Sequence, residues 1–413
     1  MKKYKLLVIP SDRTGVGKFR SVDPHTYISE HYNDIFDVDI RYPNEIPTDD
    51  LATYLKPYDI IHIHKQLDPQ LNTVNMMKFL DKKIVVDVDD YWDLGQYHPM
   101  ALTARKDNWA GPIKAHLAAA DACTTTTPIF AKEISKLNPN VYVLPNAINP
   151  EEEQFQVRKE PSDRIRFGLV CGSSHLHDIL LLQGIASSLD KETLSKIQFV
   201  LCGFDTNGTR TIYHEDTGEV ERRPIKPEES VWCDYERIIT NNYSIVRPEH
   251  KAFLLQYMKG VDYNDKSDAY MRYWTRHITQ YATHYNNVDV LLAPLKECPF
   301  NKMKSQLKVI EAGFMDCAII AQDFGAYQID LKNALTKGGE IDESGNGLLV
   351  DSTKNHKQWI KYIKKLANEP HLVDMLKKNL HDTVVDKYSI AAVTKERVNV
   401  YLKILGDERA GTI

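Results

Sequence analysis

The sequence predicts an α/β protein of two domains, each built around a parallel β-sheet with helices on both faces. Three observations carry this prediction. The chain has 413 residues, which is enough for two or three domains of roughly 100–200 residues each. Short apolar runs alternate with segments of helical length, and this alternation is typical of βαβ units. A polar stretch with two prolines, residues 146–163, interrupts the alternation, which then restarts.

The first half of the chain holds five predicted strands and four predicted helices. Apolar runs predict strands at 4–10, 36–42, 59–64, 83–88 and 141–145. Helical spacing predicts helices near 21–32, 70–81, 110–120 and 128–137. We therefore expect residues 1–150 to form one Rossmann-like domain.

The second half repeats the pattern around a less regular middle. Predicted strands are 165–171, 199–202, 288–293, 318–321 and 347–350, and predicted helices are 178–189, 303–314, 354–367, 370–387 and about 390–405. Within 203–286 the segments 231–240, 248–259 and 267–285 have helical patterns, and the aromatic-rich last one is typical of a buried helix face. We expect a second Rossmann-like domain at 164–388, with an insertion at about 204–286.

Composition argues against several classes of protein. Lys+Arg 52 against Asp+Glu 57 gives a net charge of -5 without a long basic block, so we expect no nucleic-acid partner. The six cysteines lack CxxC or zinc spacing, which indicates reduced thiols in a cytoplasmic protein. No apolar run reaches about 18 residues, and the first one predicts a strand rather than a signal peptide. Peripheral attachment at the inner face of the membrane stays open.

A loop with two glycines follows the first predicted strand. Gly15 and Gly17 allow a tight turn and a close approach of backbone N–H groups to an anion. Arg20 stands where a dinucleotide fingerprint has its third glycine, and the spacing around Lys18 is not that of a phosphate-binding P-loop. A ligand loop and a simple strand-to-helix turn are equally compatible with this pattern.

Polar residues also end other predicted strands. Residues 86–90 read Val-Asp-Val-Asp-Asp, and these carboxylates should face a cleft at the carboxyl edge of the sheet. Hydrogen bonding to sugar hydroxyls or to a structural partner is favoured over a divalent cation. His62 and His64 share a strand face, where structural roles are favoured. His175 follows small residues at a predicted helix start, which is a position suited to anions.

The strongest stretch runs over residues 288–313, where a strand leads through a loop into a helix. Lys304, Lys308 and Glu311 have the spacing i, i+4, i+7, which predicts one helical face. Positive charge and Ser305 at a helix start suit a diphosphate, and a glutamate two turns later can accept both hydroxyls of a ribose. The alternative is a solvated amphipathic helix.

Taken together, four stretches resemble the GT-B glycosyltransferases of family 4. They are 121–128 with 143–148, 167–175, 288–313 and 345–350. The resemblance implies two Rossmann-like domains facing a central cleft and a C-terminal helix, within 389–413, that crosses back to the first domain. It implies a retaining enzyme of polysaccharide biosynthesis that needs neither metal nor cofactor. A UDP- or GDP-linked sugar would bind the second domain, and a saccharide, lipid-linked or other hydroxyl acceptor would bind the first.

The resemblance also implies roles for individual residues. Glu311 matches the ribose-binding glutamate of the family, whereas its other glutamate would fall at Met303 and is absent, so we expect the backbone of residues 300–303 to replace it. Lys304, Lys308 and His98 are the expected catalytic residues. The other expected donor ligands are Gly15, Gly17, Gly172, Ser173, His175, Asn301 and Ser305, and Asp89 and Asp90 are expected to bind the acceptor.

Two other functions are alternatives to a glycosyltransferase. The missing glutamate motivates an inactive GT-B module that binds a nucleotide sugar or serves an active partner. A Rossmann oxidoreductase is disfavoured, because the glycine loop lacks its third glycine and no acidic residue cleanly ends the second strand.

Overall fold

The computed structural model describes residues 2–47, 49–65, 71–214, 216–255 and 261–413. Its first sheet has six strands: β1 (Tyr4–Ile9), β2 (Phe36–Ile40), β3 (Ile60–His64), β4 (Lys83–Val88), β5 (Ala122–Thr125) and β6 (Val141–Val143). Their order is β2-β1-β3-β4-β5-β6, and every neighbouring pair is parallel. The central strand β3 is buried along its whole length, because helices cover both faces of the sheet.

Seven helices connect these strands: α1 (Gly15–Gly17), α2 (Asp23–His31), α3 (Leu51–Leu55), α4 (Leu71–Phe79), α5 (Ala101–Lys106), α6 (Ala110–Ala119) and α7 (Pro128–Ile134). A π-helical turn, Lys18–Val22, joins α1 to α2. It directs Arg20 into the domain, where the guanidinium forms a buried ion pair with Asp87 at 2.6 Å. The glycine loop is thereby fixed to the centre of the sheet.

The second sheet also has six strands. They are β7 (Ile165–Val170), β8 (Ile197–Phe204), β11 (Tyr270–Trp274), β12 (Val290–Ala293), β13 (Ala318–Gln322) and β14 (Leu348–Val350), in the order β11-β8-β7-β12-β13-β14 and all parallel. Between β8 and β11 the strands β9 (Thr209–Tyr213) and β10 (Val220–Pro224) form a separate antiparallel hairpin.

Nine helices belong to the second half of the described chain. They are α8 (Leu176–Ile179), α9 (Lys191–Lys196), α10 (Val231–Ile239), α11 (Lys251–Leu255), α12 (Pro299–Lys302), α13 (Leu307–Phe314), α14 (Asn355–Asn368), α15 (His371–Val384) and α16 (Ile390–Leu405). None of the described helices is long and apolar enough to cross a membrane.

The predicted helix at 267–285 is wrong. Tyr270–Trp274 is the buried edge strand β11, and a 3₁₀ turn follows at Tyr281–Asn287. Aromatic residues fit strands as well as helices, and a fully buried run carries no period that separates the two. The expected insertion therefore includes a strand of the sheet itself. The predicted helix at 248–259 is described only up to Leu255, since residues 256–260 lie outside the described part.

The predicted helix at 303–314 begins four residues later than expected, and a separate short helix precedes it. Helix α12 ends at Lys302, and α13 begins only at Leu307. The turn between them carries Met303 into the apolar cluster of the first domain that contains Trp92. Lys304 therefore lies in this turn and not on one helical face with Lys308.

The C-terminal helix returns to the first domain, as predicted. Val398, Tyr401 and Leu402 of α16 are buried in one cluster with residues of β1 and β2. The Tyr401 hydroxyl also bonds His62 Nδ1 at 2.9 Å and His25 Nε2 at 2.7 Å. His62 is therefore a buried structural residue.

Candidate functional site

A cleft of about 590 Å³ separates the two sheets, and residues of both domains line it. It lies at the carboxyl ends of strands, where open α/β sheets bind ligands. The cleft brings together most residues that the sequence singled out: Gly15, Asp89, Asp90, His98, Gly172, Ser173, His175, Lys304, Ser305, Lys308 and Glu311.

Gly17 and Asn301 do not line the cleft, contrary to their expected role as donor ligands. The Gly17 N–H donates to Asp12 Oδ1 at 3.3 Å, and a Cβ at Gly17 would collide with the Asp12 backbone oxygen. Asn301 is buried, and its amide donates to Asp178 Oδ1 and the Lys296 carbonyl at 2.8 Å each. Both residues shape the loops behind the cleft.

The start of α13 lines the cleft, and within the described residues the Leu307 and Lys308 N–H groups have no hydrogen-bond partner. Leu307 and Lys308 line the cleft, and no side chain caps this end of the helix. The first N–H groups of a helix have no partner within it and carry partial positive charge, which makes this end suited to an anion. Ser305 precedes it, and its hydroxyl accepts a hydrogen bond from Asn146 Nδ2 of the first domain at 3.1 Å.

Glu311 is almost completely buried and already holds three hydrogen bonds. Its Oε1 accepts from the Tyr281 hydroxyl at 2.6 Å, and its Oε2 accepts from the Tyr285 hydroxyl at 2.5 Å and from Lys308 Nζ at 2.7 Å. A carboxylate has about four acceptor positions, so one remains, on Oε1. Burial and Glu311 raise the pKa of both tyrosines well above its usual range.

The two lysines of the site therefore differ in charge compensation. Lys308 is ion-paired with Glu311, whereas Lys304 forms no ion pair within the described residues and lies with its Nζ 5.3 Å from the centre of the Phe300 ring. Lys304 is thus the lysine with an uncompensated charge in the cleft.

Two histidines of the cleft are held neutral. Burial, and then the charge of Lys304, lower the pKa of His98 and of His175. The Met100 N–H donates to His98 Nδ1 at 3.1 Å, so the hydrogen-bond network assigns the proton of this ring to Nε2. His175 Nδ1 bonds Asp178 Oδ2 at 2.8 Å, which leaves its Nε2 as an acceptor.

The acidic pair after β4 is asymmetric. Asp89 bonds His64 Nε2 at 3.3 Å and Lys65 Nζ at 3.2 Å, and despite burial these two partners hold the pKa of Asp89 far below its usual range. Among the described residues, Asp90 has an ion pair only with Lys65 Nζ, at 3.7 Å, and burial together with the charge of Asp89 raises the pKa of Asp90. Asp87 forms a buried ion pair with Arg20, so Asp87, Asp89 and Asp90 do not form a shared cation site.

Elsewhere in the described chain, His250, Asp265 and Asp268 are close enough together to share a metal ion. Arg247 forms ion pairs with both of these carboxylates. Both carboxylates already accept hydrogen bonds from Arg247, and Asp268 also accepts from Tyr263, so the cluster is an ion-pair network of the second domain.

Among the polar residues that line the cleft without being predicted are Asn146, Tyr281 and Arg276. Asn146 lies in a stretch that was assigned to the linker, although it follows a predicted strand and so had the position of a ligand residue. Tyr281 was assigned to a buried helix face. Arg276 also lines the cleft, and no pattern in the sequence marks it.

Comparisons with known proteins agree on the architecture. Sucrose-phosphate synthase from Thermosynechococcus elongatus matches with 14% identity and a TM-score of 0.60, over 98% of this chain and 100% of that chain. HepE of Anabaena, in complex with UDP and glucose, matches with 10% identity and a TM-score of 0.59, over 97% of this chain and 100% of that chain. This chain has the GT-B fold.

A glycosyltransferase from Rickettsia africae gives a similar result, with 11% identity and a TM-score of 0.58 over 98% of this chain and 99% of that chain. No model of a known protein family and no curated protein matches this GT-B chain. Family 4 therefore remains a resemblance, and the similarity to the solved structures is one of fold.

Proposed function

We propose that this protein transfers a sugar from a nucleoside diphosphate sugar to a hydroxyl group of an acceptor. The observation that carries the proposal is the uncapped start of α13 beside the uncompensated Lys304, in a cleft between two Rossmann-like domains. Together they provide backbone donors and a positive charge for a diphosphate. The same fold in HepE of Anabaena is in complex with UDP and with UDP-glucose, which supports a UDP-linked donor; a GDP-linked donor is the other candidate.

The proposed donor lies along the second domain. The diphosphate binds the N–H groups of Leu307 and Lys308 together with Lys304 Nζ. The ribose binds the remaining acceptor position of Glu311, which Tyr281, Tyr285 and Lys308 hold in place. The acceptor, a saccharide, a lipid-linked or another hydroxyl compound, binds the first domain. The proposed location of the reaction is the cytoplasm or the inner face of the membrane, a location that the six free cysteines support.

The proposed chemistry depends on charge stabilisation. When the bond between the sugar and the diphosphate breaks, negative charge develops on the phosphate and positive charge on the sugar. Lys304 and the α13 N–H groups stabilise the leaving diphosphate, in the role that a metal ion has elsewhere. Loss of one such donor typically lowers the rate by about 10²–10³. The acceptor hydroxyl attacks the anomeric carbon from the face that the diphosphate leaves, and the departing phosphate oxygen takes the hydroxyl proton. The configuration at the anomeric carbon is therefore retained.

The first test measures nucleotide binding by the wild-type protein. Calorimetry with UDP, GDP and their glucose, galactose and N-acetylglucosamine derivatives should give micromolar binding for one base. Sugar release from that donor should continue in EDTA, and proton NMR of the first product should show the anomeric configuration of the donor. Absence of binding by every nucleotide would refute the proposal. Loss of activity in EDTA would refute metal independence alone, and an inverted product would refute retention alone.

An inactive nucleotide-sugar-binding subunit is the second candidate. Met303, at the position of the absent glutamate, is packed in an apolar cluster of the first domain, so its side chain offers no polar contact to a sugar. Tight binding of a nucleotide sugar without turnover, with and without candidate acceptors, would favour this candidate over the enzyme.

A further inference from the structure

Four carboxylates line the cleft, and they differ in what they bond. Asp89 holds His64 and Lys65, and Glu311 holds two tyrosines and Lys308. Asp205 accepts hydrogen bonds from the Asn207 N–H and side-chain amide at 2.8 and 2.6 Å. Asp90 accepts no hydrogen bond from any residue of the described segments, and its nearest cation is Lys65 Nζ at 3.7 Å.

The position of Asp90 follows from the way the domains meet. Asp90 comes directly before Tyr91 and Trp92, which belong to the apolar cluster that receives Met303 of the second domain. Lys304 follows Met303, so the contact between the domains brings Lys304 near Asp90. Burial and the charge of Asp89 raise the pKa of Asp90, while the charges of Lys65 and Lys304 lower it.

The Asp90 side chain is 39% exposed, so its carboxylate oxygens are accessible from the cleft and can accept hydrogen bonds from a ligand there. In the proposed arrangement, the sugar attached to a diphosphate at Lys304 occupies the part of the cleft that Asp90 lines. A sugar offers hydroxyl donors and no anionic group, so it suits a free carboxylate. Hydrogen bonds to an ionised acceptor are shorter and stronger than neutral ones.

We propose that Asp90 accepts hydrogen bonds from hydroxyl groups of the transferred sugar, while Asp89 acts only by holding His64 and Lys65. This inference rests on the proposed function and assigns Asp90 to the donor sugar instead of the acceptor. The carboxylate also lies on the side where positive charge develops on the sugar, so it stabilises that charge as Lys304 stabilises the diphosphate.

The test compares a nucleotide with its sugar derivative in the intact protein. Calorimetry would measure UDP, or GDP if that base binds, and the best-binding sugar derivative, on wild type, Asp90→Asn and Asp93→Asn. Asp93 is an exposed carboxylate three residues further along the same loop and does not line the cleft. Asp90→Asn should bind the nucleotide within twofold of wild type, but its sugar derivative about tenfold more weakly. It should also release sugar more slowly without acceptor, whereas Asp93→Asn should match wild type.

Other results of these measurements would contradict either the role of Asp90 or the proposed function. The inference would be overturned if Asp90→Asn bound the nucleotide and its sugar derivative more weakly by the same factor. It would also be overturned if this variant released sugar at the wild-type rate but transferred it to an acceptor more slowly. Binding of no nucleotide by wild type would instead refute the proposed function. Because burial raises the pKa of Asp90, its neutral isostere should not lower the melting temperature. If it does, Asp90→Glu, which keeps the charge one methylene further out, should bind the nucleotide normally and its sugar derivative more weakly. Normal binding of both by Asp90→Glu would contradict the inference.

Discussion

Replacement of Lys304 by methionine removes the uncompensated charge of the cleft while keeping much of the side-chain volume. Lys304 has no ion pair in the described part of the chain, so the substitution breaks no direct ion pair; it removes only the more distant charge that lowers the pKa of Asp90 and of Asp178. Two unit charges about 4 Å apart at an effective dielectric constant of about 20 interact by about 4 kcal/mol. The measured loss for one such donor is about 3–4 kcal/mol. We therefore expect kcat to fall about 10²–10³-fold at nearly unchanged stability.

The assay is donor turnover together with thermal unfolding, with Lys302→Met as the matched control. Lys302 is exposed at the end of α12 and does not line the cleft, so its variant should keep wild-type kcat. A second readout is independent of turnover. Lys304 contributes to the lowered pKa of His98 and His175, so both values should rise in the variant. Wild-type kcat in Lys304→Met, or equal losses in the two variants, would refute the reasoning.

Three further predictions follow from contacts in the structure. Glu311→Gln should weaken UDP binding about fivefold and reduce the preference for UDP over its 2′-deoxy analogue, as measured by calorimetry; an unchanged preference would argue against the ribose assignment. Burial raises the pKa of Glu236 to about 7, so the folded state keeps a proton that the unfolded state has lost. The free energy of unfolding should then decrease by up to about 3 kcal/mol as pH rises from about 4.5 to 7, and urea titrations at both ends of this range should show a flatter profile for Glu236→Gln than for wild type. Asp87→Asn leaves the buried Arg20 without its partner and should cost about 3–5 kcal/mol in urea unfolding; a loss below about 1 kcal/mol would contradict that role.

The alternation of strands and helices could be predicted from sequence because both sheets are parallel and fully covered. Their strands are short apolar runs between longer amphipathic segments, which is the signal that such sheets produce. The return of α16 to the first domain came from the family resemblance. Strand β11 could not be predicted, because its five residues, Tyr-Met-Arg-Tyr-Trp, are all buried and have no period that separates a strand from one helix face.

The site could be predicted as a set of residues but not as a network. The positions of Lys304, Lys308 and Glu311 in the sequence pointed to the cleft, yet helical spacing placed both lysines in the same role. The turn at Met303 separates them, and it depends on an apolar contact with the other domain. The two tyrosine partners of Glu311 come from the 3₁₀ turn at Tyr281–Asn287. Such long-range pairings leave no local signal in the sequence.

The most direct test of the account is a crystal structure of the protein with UDP. The account predicts the diphosphate within hydrogen-bond distance of the Leu307 and Lys308 N–H groups and of Lys304 Nζ, with the ribose at Glu311. A diphosphate bound away from the start of α13, or a cleft that stays empty at saturating UDP, would contradict it.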